Sequence, residues 1–169
     1  MKTPSLSLAV LAAASVLCVS TPVFGAGAPH DLFQTVRSGD KSALRALAAD
    51  GAVNTRDDLG NTPLIWAAAN GDINAFKLLL DSGADVNATN TAGANALMRA
   101  AVDEEKVRLL LDRRPGVNAR SNLGNTALIL AARKHGSIGV VKQLLNRGAE
   151  VNATNNFGAT ALMAAAAAT

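Results

Sequence analysis

Apolar and polar positions along the chain form short blocks that return about every 33 residues. One block, "GNTPLIWAAANGDINAFKLLLDSGADVNATN", fills residues 60–90, and a similar one, "GNTALILAARKHGSIGVVKQLLNRGAEVNATN", fills residues 124–155. Within each block, two apolar stretches have the spacing of short amphipathic helices, and a polar turn separates them. The aligned glycines at 60, 93, 124 and 158 lie 33, 31 and 34 residues apart. The pattern therefore predicts a series of similar two-helix units.

The first helix of a unit has clear start signals. Thr62 is a good N-cap because its hydroxyl can accept from the free amides of the first turn, and Pro63 suits the first helical position. Leu64, Ala67 and Ala68 then lie on one side of the helix. We expect this side to be buried.

The second helix, "INAFKLLLDS", follows after a glycine at position 71. Asp72 is its predicted N-cap, and Phe76, Leu79 and Leu80 share one face. Gly83 can adopt the left-handed conformation that ends such a helix. The following "ADVNATNTAG" is predicted to be an extended, hairpin-like loop that leads to the next unit.

Neither helix is long enough to be stable alone, so each unit must bury its apolar face against its neighbours. Alanine pairs in the first helices would allow close approach of successive units. The leucines at equivalent positions should fill the core between them. These leucines are Leu64, Leu97, Leu128 and Leu162.

The period and these motifs resemble the ankyrin-repeat family. The family's "TPLHxA" motif is present as "TPLIWA", less completely as "NALMRA", "TALILA" and "TALMAA", and "LLLDSGADVNA" follows the first of these. The resemblance covers residues 30–169 and implies an all-α repeat solenoid of stacked helix-turn-helix repeats with hairpin-like loops. It divides the chain into a capping unit at about 30–56, repeats at about 57–89, 90–120 and 121–154, and a partial repeat at 155–169.

The sequence departs from the family pattern at several places. The histidine of the motif is replaced by Ile65, Met98, Ile129 and Met163, which we expect to exchange its hydrogen bonds for packing. The third unit lacks the glycine between its helices and has "RPG" where the second unit has "GAD". The partial repeat has no second helix. This leaves three alternatives: a truncated product, a minimal alanine-rich cap, or an end covered by another molecule.

The N-terminal segment has the features of a signal peptide. Lys2 precedes the apolar run "LSLAVLAAASVLCVS", which has the length of a signal-peptide core, and small residues follow it. We expect residues 1–25 to be removed and the protein to be exported, with the periplasm as the first expectation and secretion as the alternative. An uncleaved membrane anchor is the other interpretation. The single cysteine, Cys18, would leave with this segment.

Composition and candidate chemistry argue against several functions. Without Lys2, 15 basic and 13 acidic residues remain, and the basic ones are scattered, which disfavours nucleic-acid binding. His30 and His135 belong to units about 30 Å apart, at about 10 Å per helix layer, so they cannot share a site. The acidic run 103–105 lies at a predicted helix start, where carboxylates favour the helix dipole. We therefore predict no enzyme, no cofactor and no metal site.

The resemblance implies a non-catalytic module that binds another protein through its loop tips and the exposed side of its first helices. Leu59, Ala92, Leu123 and Phe157 precede the turn glycines and form a column of apolar tips. They either form a contact surface or fold back over their own loops. The full predicted contact set at the loop tips is Arg56, Asp58, Leu59, Asn61, Thr89, Thr91, Ala92, Ala94, Arg120, Asn122, Leu123, Asn125, Thr154, Asn156, Phe157 and Ala159. On the helix side it is Ala69, Asn70, Val102, Asp103, Arg133 and Lys134.

The partner's identity is not determined by these residues. A periplasmic immunity or inhibitor protein, a secreted effector and a structural protein that self-associates through the open C-terminal end are the alternatives. The sequence leaves the location of two further side chains, Trp66 and Arg99, open between the core and the surface. Trp66 is expected in the core more than at a contact surface, and Arg99, in the same column, is expected to extend outward along the concave side.

Overall fold

The described part of the chain, residues 29–49 and 52–168 of a computed structural model, forms nine short α-helices and one 3₁₀ turn. The only β-type pairing within it is a single antiparallel bridge between Thr89 and Asn95. The predicted all-α architecture with hairpin-like loops is therefore confirmed. The helices are α1 (Pro29–Ser38), α2 (Lys41–Ala49), α3 (Pro63–Asn70), α4 (Ile73–Asp81), α5 (Ala96–Arg99), α6 (Glu104–Leu111), α7 (Ala127–Ala132), α8 (Ile138–Asn146) and α9 (Ala161–Ala166), and the 3₁₀ turn is Ala52–Asn54.

First helices begin with the same capping interaction in every unit from the second onward. The side chain of Thr62 accepts from the Ile65 amide at 3.3 Å, and Asn95 does the same for Met98 at 3.0 Å. Thr126 and Thr160 cap α7 and α9 in the same way. The N-cap predicted at Thr62 is thus confirmed, and it recurs because each unit must end its loop and start a helix at the same point.

The helices form two stacked layers. In the inner layer α1, α3, α5, α7 and α9 pack in order, and in the outer layer α2, α4, α6 and α8 do so. Leu64, Leu97 and Leu128 are buried between successive units, as predicted. Phe76 and Leu79 on α4 are fully buried as well. Burial of these faces on their neighbours stabilises helices that are too short to persist alone.

The expectation for Leu162 is wrong. This residue lies at the position of Leu128 in the next unit, but its side chain is 78% exposed. Met163 is 59% exposed, whereas the equivalent Met98 and Ile129 are buried and do replace the motif histidine by packing. Both exposed side chains lie on α9, which no second helix covers within residues 29–168. Burial here depends on a neighbour that the described residues do not supply.

Asparagine side chains connect the loops of successive units. The side-chain oxygen of Asn54 accepts from the backbone N–H of Asp85, one unit ahead, at 2.8 Å. Asn87 accepts from Gly116, and Asn118 accepts from Glu150, both at 2.9 Å. Because these contacts satisfy backbone donors in the loops, they fix the spacing between units.

Second helices end in the left-handed conformation. Gly83 and Gly148 have φ angles of +81° and +83°, as predicted for Gly83. The third unit has Arg114 at this position, with a φ of +53°, and it is the one non-glycine residue with positive φ among the described residues. The unit therefore keeps the helix-ending geometry with a residue that is poorly suited to it.

Lys106 is buried on α6, although lysine is rarely found inside proteins. Its ammonium donates to the carbonyls of Ala68 at 3.4 Å and Gly71 at 3.0 Å, and it lies 5.9 Å from the centre of the Phe76 ring. Asp103 is 3.6 Å away. The lysine thus satisfies carbonyl groups at the end of α3, which compensates for its desolvation.

The predicted signal peptide, residues 1–25, lies outside the described residues. Among those that are described, no helix has the length and apolar character needed to cross a membrane.

Candidate protein-binding surface

The loop tips are held together by backbone hydrogen bonds that run from unit to unit. The N–H of Thr91 donates to the carbonyl of Leu59, and the N–H of Asn122 donates to the carbonyl of Ala92, both at 3.0 Å. The N–H of Asn156 continues the series to Leu123 at 3.0 Å. The tips therefore form one continuous, ordered edge of the solenoid.

Asparagine side chains reinforce this edge. The amide group of Asn122 donates to the carbonyl of Thr91, and that of Asn156 donates to the carbonyl of Asn122, both at 2.9 Å. A Cβ added at Gly93 would lie 2.5 Å from the Asn122 side-chain oxygen and 2.8 Å from its backbone nitrogen. The turn glycine is thus required by close contact as well as by its φ of +71°.

Other predicted contact residues also take part in bonds between units. Asn61 is buried and accepts from the side-chain amide of Asn90 at 2.8 Å, and Asn125 accepts from Asn155 at 3.0 Å. Arg56 donates to the carbonyl of Thr89 at 2.5 Å. These polar side chains act within the stack, which reduces what they can offer to a partner.

Two more of the predicted set have similar internal roles. The guanidinium of Arg120 donates to the Thr154 carbonyl in the next unit. Asp103 caps α6 by accepting from the amides of Glu105 and Lys106, each at 3.1 Å. The acidic run 103–105 is thus a helix start, as its position indicated. No group of three potential metal-ligating side chains occurs in the described part of the chain.

The apolar tip residues, in contrast, extend into solvent. Leu59 is 65% exposed, Leu123 is 55% exposed and Phe157 is 77% exposed, and Ala92 is exposed between them. They do not fold back over their own loops. None of the four belongs to the buried core cluster or packs against it, and contiguous exposed apolar side chains mark interaction sites.

A groove of about 660 Å³ lies between two of these tips, Ala92 and Leu123, and the first helices of the second, third and fourth units. Its wall on the tip side includes Ala92 and Leu123, and its floor includes Met98, Val102 and Leu130. Val102 is 57% exposed. The groove is therefore a concave apolar surface that is accessible along its length.

Among the described residues, Arg99 is the one charged residue that lines this groove. Its side chain is exposed, and no carboxylate of the described residues pairs with it. The expectation that it extends along the concave side fits this position. Trp66, at the equivalent position one unit earlier, is half-buried against the core.

The rest of the predicted contact set lies away from this groove. Asp58 and Asn70 are exposed elsewhere, and Arg133 follows the end of α7. Lys134 lines a different groove at the C-terminal end of the solenoid. The predicted residues that the structure brings together in one concave surface are Ala69, Ala92, Ala94, Val102, Asn122, Leu123 and Asn125.

A family model described as "Ankyrin repeats (3 copies)" matches residues 31–90 and 85–155. Together these ranges cover residues 31–155, which are most of the chain, and they end at the first residue of the partial repeat.

Several curated proteins share part of this sequence. Palmitoyltransferase akr1 of Aspergillus oryzae is 44% identical over 61 residues, which are 35% of this chain and 8% of that enzyme. The DNA-binding protein RFXANK of Mus musculus is 37% identical over 67 residues, 40% of this chain and 25% of the relative. A putative ankyrin repeat protein of fowlpox virus, FPV233, is 46% identical over 59 residues, 34% of this chain and 12% of the relative. The chain thus matches only a small part of each relative, and the match to the palmitoyltransferase is confined to repeats.

Proposed function

The chain belongs to the ankyrin-repeat family, and we propose that its concave groove binds an extended or helical segment of another protein. Ankyrin repeats form a non-catalytic fold that serves as a protein–protein interaction module. The observation that supports binding in this groove is the set of exposed apolar side chains, Leu123 and Val102 above all, around Arg99, which pairs with no carboxylate of the described residues.

The composition of the groove indicates which segment would fit. Aliphatic side chains of the partner would be buried against Val102, Leu123 and Leu130, and about 25 cal/mol per Å² of apolar surface would favour the complex. A carboxylate of the partner would pair with Arg99 and fix its register, since charged groups in an interface contribute mainly to specificity. We therefore propose a partner segment that carries aliphatic residues and one acidic residue.

The decisive experiment is capture of partners by tagged protein from a periplasmic extract, compared with the double variant Val102→Ser and Leu123→Ser. We expect the variant to keep its melting temperature, because both side chains are more than half exposed, and to lose the partner. The matched control is Met163→Ser, at an equally exposed apolar position that lines neither this groove nor the one at the C-terminal end. Capture of the same amount of partner by the wild-type protein and the groove variant would contradict the proposal. A large loss of the variant's stability would contradict it as well.

The column of apolar tips is tested separately, because Leu123 lines the groove whereas Leu59 lies outside it. Leu59→Ser with Leu123→Ser changes two tips without touching a side chain buried in the stack. We expect an unchanged melting temperature and reduced capture of the partner. Intact capture by this variant and loss by the Val102→Ser and Leu123→Ser variant would confine binding to the groove floor.

We also propose that the protein is exported to the periplasm after cleavage behind Gly25. The support is the basic residue Lys2, the apolar run after it and the absence of cysteine after residue 25. Sequencing of the N-terminus of protein recovered from a periplasmic fraction should give a start at Ala26. An intact Met1 in the cytoplasmic fraction would contradict export.

A further inference from the structure

A second groove, of about 530 Å³, lies at the C-terminal end of the stack, away from the concave groove. Helices α7, α8 and α9 line it. Its apolar residues include Ile138, Leu145, Val151 and Leu162, which are 68%, 38%, 57% and 78% exposed. None of these residues belongs to the concave groove.

In the preceding units, the second helix of the next repeat occupies the place that corresponds to this groove. Helix α6 packs on α4 and α5, and α8 packs on α6 and α7. Leu80 and Leu111, at the position of Leu145 in α4 and α6, are only 3% and 2% exposed because the next second helix covers them. The groove beside α9 is thus the place of a second helix, and Leu145 stays open because no described helix occupies it.

The charges around the groove indicate the character of a helix that would fill it. In the second and third units, Lys77 on α4 pairs with Glu105 on α6 at 2.7 Å. Lys142 lies on α8 at the position of Lys77, and its side chain has no ion pair with any described residue. Lys134 and His135 also line the groove, whereas no acidic side chain in the described part of the chain does. A helix bound in this groove should therefore carry an acidic residue at the position of Glu105, where it would face Lys142.

We propose that this groove binds an acidic amphipathic helix of a partner protein, placed as the second helix of a repeat, with a glutamate paired to Lys142. The second helices of this chain show the required apolar pattern, since Val107, Leu110 and Leu111 bury one face of α6. Helices of eight or nine residues fill this role in the earlier units. Such a helix is unstable alone and would fold as it binds.

A second copy of the chain is a poor occupant on grounds of charge. Two C-terminal ends placed face to face would bring Lys134 and Lys142 of each copy against the same basic residues of the other. A head-to-tail arrangement would place this end against α2, whose Lys41 and Arg45 are exposed. Both arrangements oppose positive charges, so an acidic helix fits the groove better.

The test uses a labelled, end-capped peptide that copies residues 103–113 of this chain, which contain α6. Wild-type protein should bind it, and the same peptide with Glu105→Lys should bind about fivefold more weakly, the upper range for one exposed ion pair. The protein variant Lys142→Glu should reverse this order of affinities. Reversal is the specific result, because a change in folding alone would weaken both peptides equally.

Further variants locate the bound peptide. Ile138→Asp should weaken binding about tenfold, whereas Val102→Ser with Leu123→Ser, in the concave groove, should leave it unchanged. No binding at about 1 mM peptide, or equal affinities of both peptides for Lys142→Glu, would overturn the proposal. Dimers that are seen by light scattering, lost with Ile138→Asp and unaffected by the peptide would overturn it in favour of a second copy. These outcomes are independent of partner capture by the concave groove.

Discussion

Arg147 lies across the end of the preceding unit, with its guanidinium 2.9 Å from the carboxylate of Asp112. A second N–H of the same group donates to the carbonyl of Leu111, at the end of α6. Arg113 makes the equivalent contacts one unit earlier, to Asp81 and to the carbonyl of Leu80, both at 2.7 Å. Each arginine therefore caps the second helix of its neighbour and connects two units in the outer layer.

This pairing predicts that Arg147→Ala lowers the free energy of unfolding by about 1 kcal/mol, mainly through the lost bond to the helix-end carbonyl. Urea denaturation measures the change. The matched control is Arg108→Ala, because Arg108 pairs with the same Asp112 at 3.7 Å but within its own unit, and about half of its side chain is exposed. We expect a loss below about 0.5 kcal/mol for the control. Equal losses would show that only the charge pair matters.

The left-handed Arg114 predicts a stabilising substitution. Arg114→Gly should raise the free energy of unfolding by about 1 kcal/mol, since glycine adopts a φ of +53° without steric cost. The reverse change at the equivalent position, Gly148→Ala, should lower it by a similar amount. A Cβ at Gly148 would meet no atom within 4 Å, so its cost is purely conformational. Destabilisation by Arg114→Gly would show that the arginine side chain has a stabilising contact.

Two leucines at equivalent positions should differ strongly in their contribution to stability. Leu128→Ala should cost about 2–5 kcal/mol because the side chain is 3% exposed, whereas Leu162→Ala should cost less than about 0.5 kcal/mol. Thermal denaturation of both variants measures the difference. A large loss for Leu162→Ala in the purified protein would mean that another molecule or a second copy already covers α9.

Lowering the pH should reduce the stability that the Asp40 carboxylate contributes at the N-terminus of α2. Bonds from the Ser42 hydroxyl, at 2.8 Å, and from the amides of Ala43 and Ser42 hold the pKa of Asp40 below its ordinary value. A lowered folded-state pKa stabilises the fold above the unfolded-state value of about 4, and this contribution is lost as the pH falls through the folded-state pKa.

The variant Asp40→Asn should therefore show a smaller drop in melting temperature than wild type when the pH falls from about 6 to about 3. The control is Asp58→Asn, at an exposed loop tip. An equal drop for wild type and Asp40→Asn would contradict the role of this carboxylate.

Much of each unit could be predicted from residues close together in sequence. The N-cap at Thr62, the cap at Asp72 and the left-handed turn at Gly83 all follow from interactions that span a few residues. The same local rules could not place Leu162, because its burial depends on a helix from another unit. The period indicated stacking, but it did not indicate that the apolar side chains of α9 are exposed in the described part of the chain.

The contact surface was predicted only in part for a related reason. Asn122 and Asn156 occupy exposed loop tips, and an amide there can bind a partner or the neighbouring tip equally well. The structure shows that both donate to the preceding loop. The burial of Lys106 and the cap provided by Arg147 had no sequence signal, since their partners lie more than thirty residues away.

The sequence by itself determined the repeating unit, its helix boundaries and its membership of the ankyrin-repeat family. These properties depend on backbone conformation and on side chains within one or two turns of each other. Only the tertiary structure decided which equivalent residues are buried, which polar side chains serve the stack and where two grooves stay open. Those outcomes depend on contacts between units about 30 residues apart, and the same residue type is a core, loop or surface residue according to its neighbour.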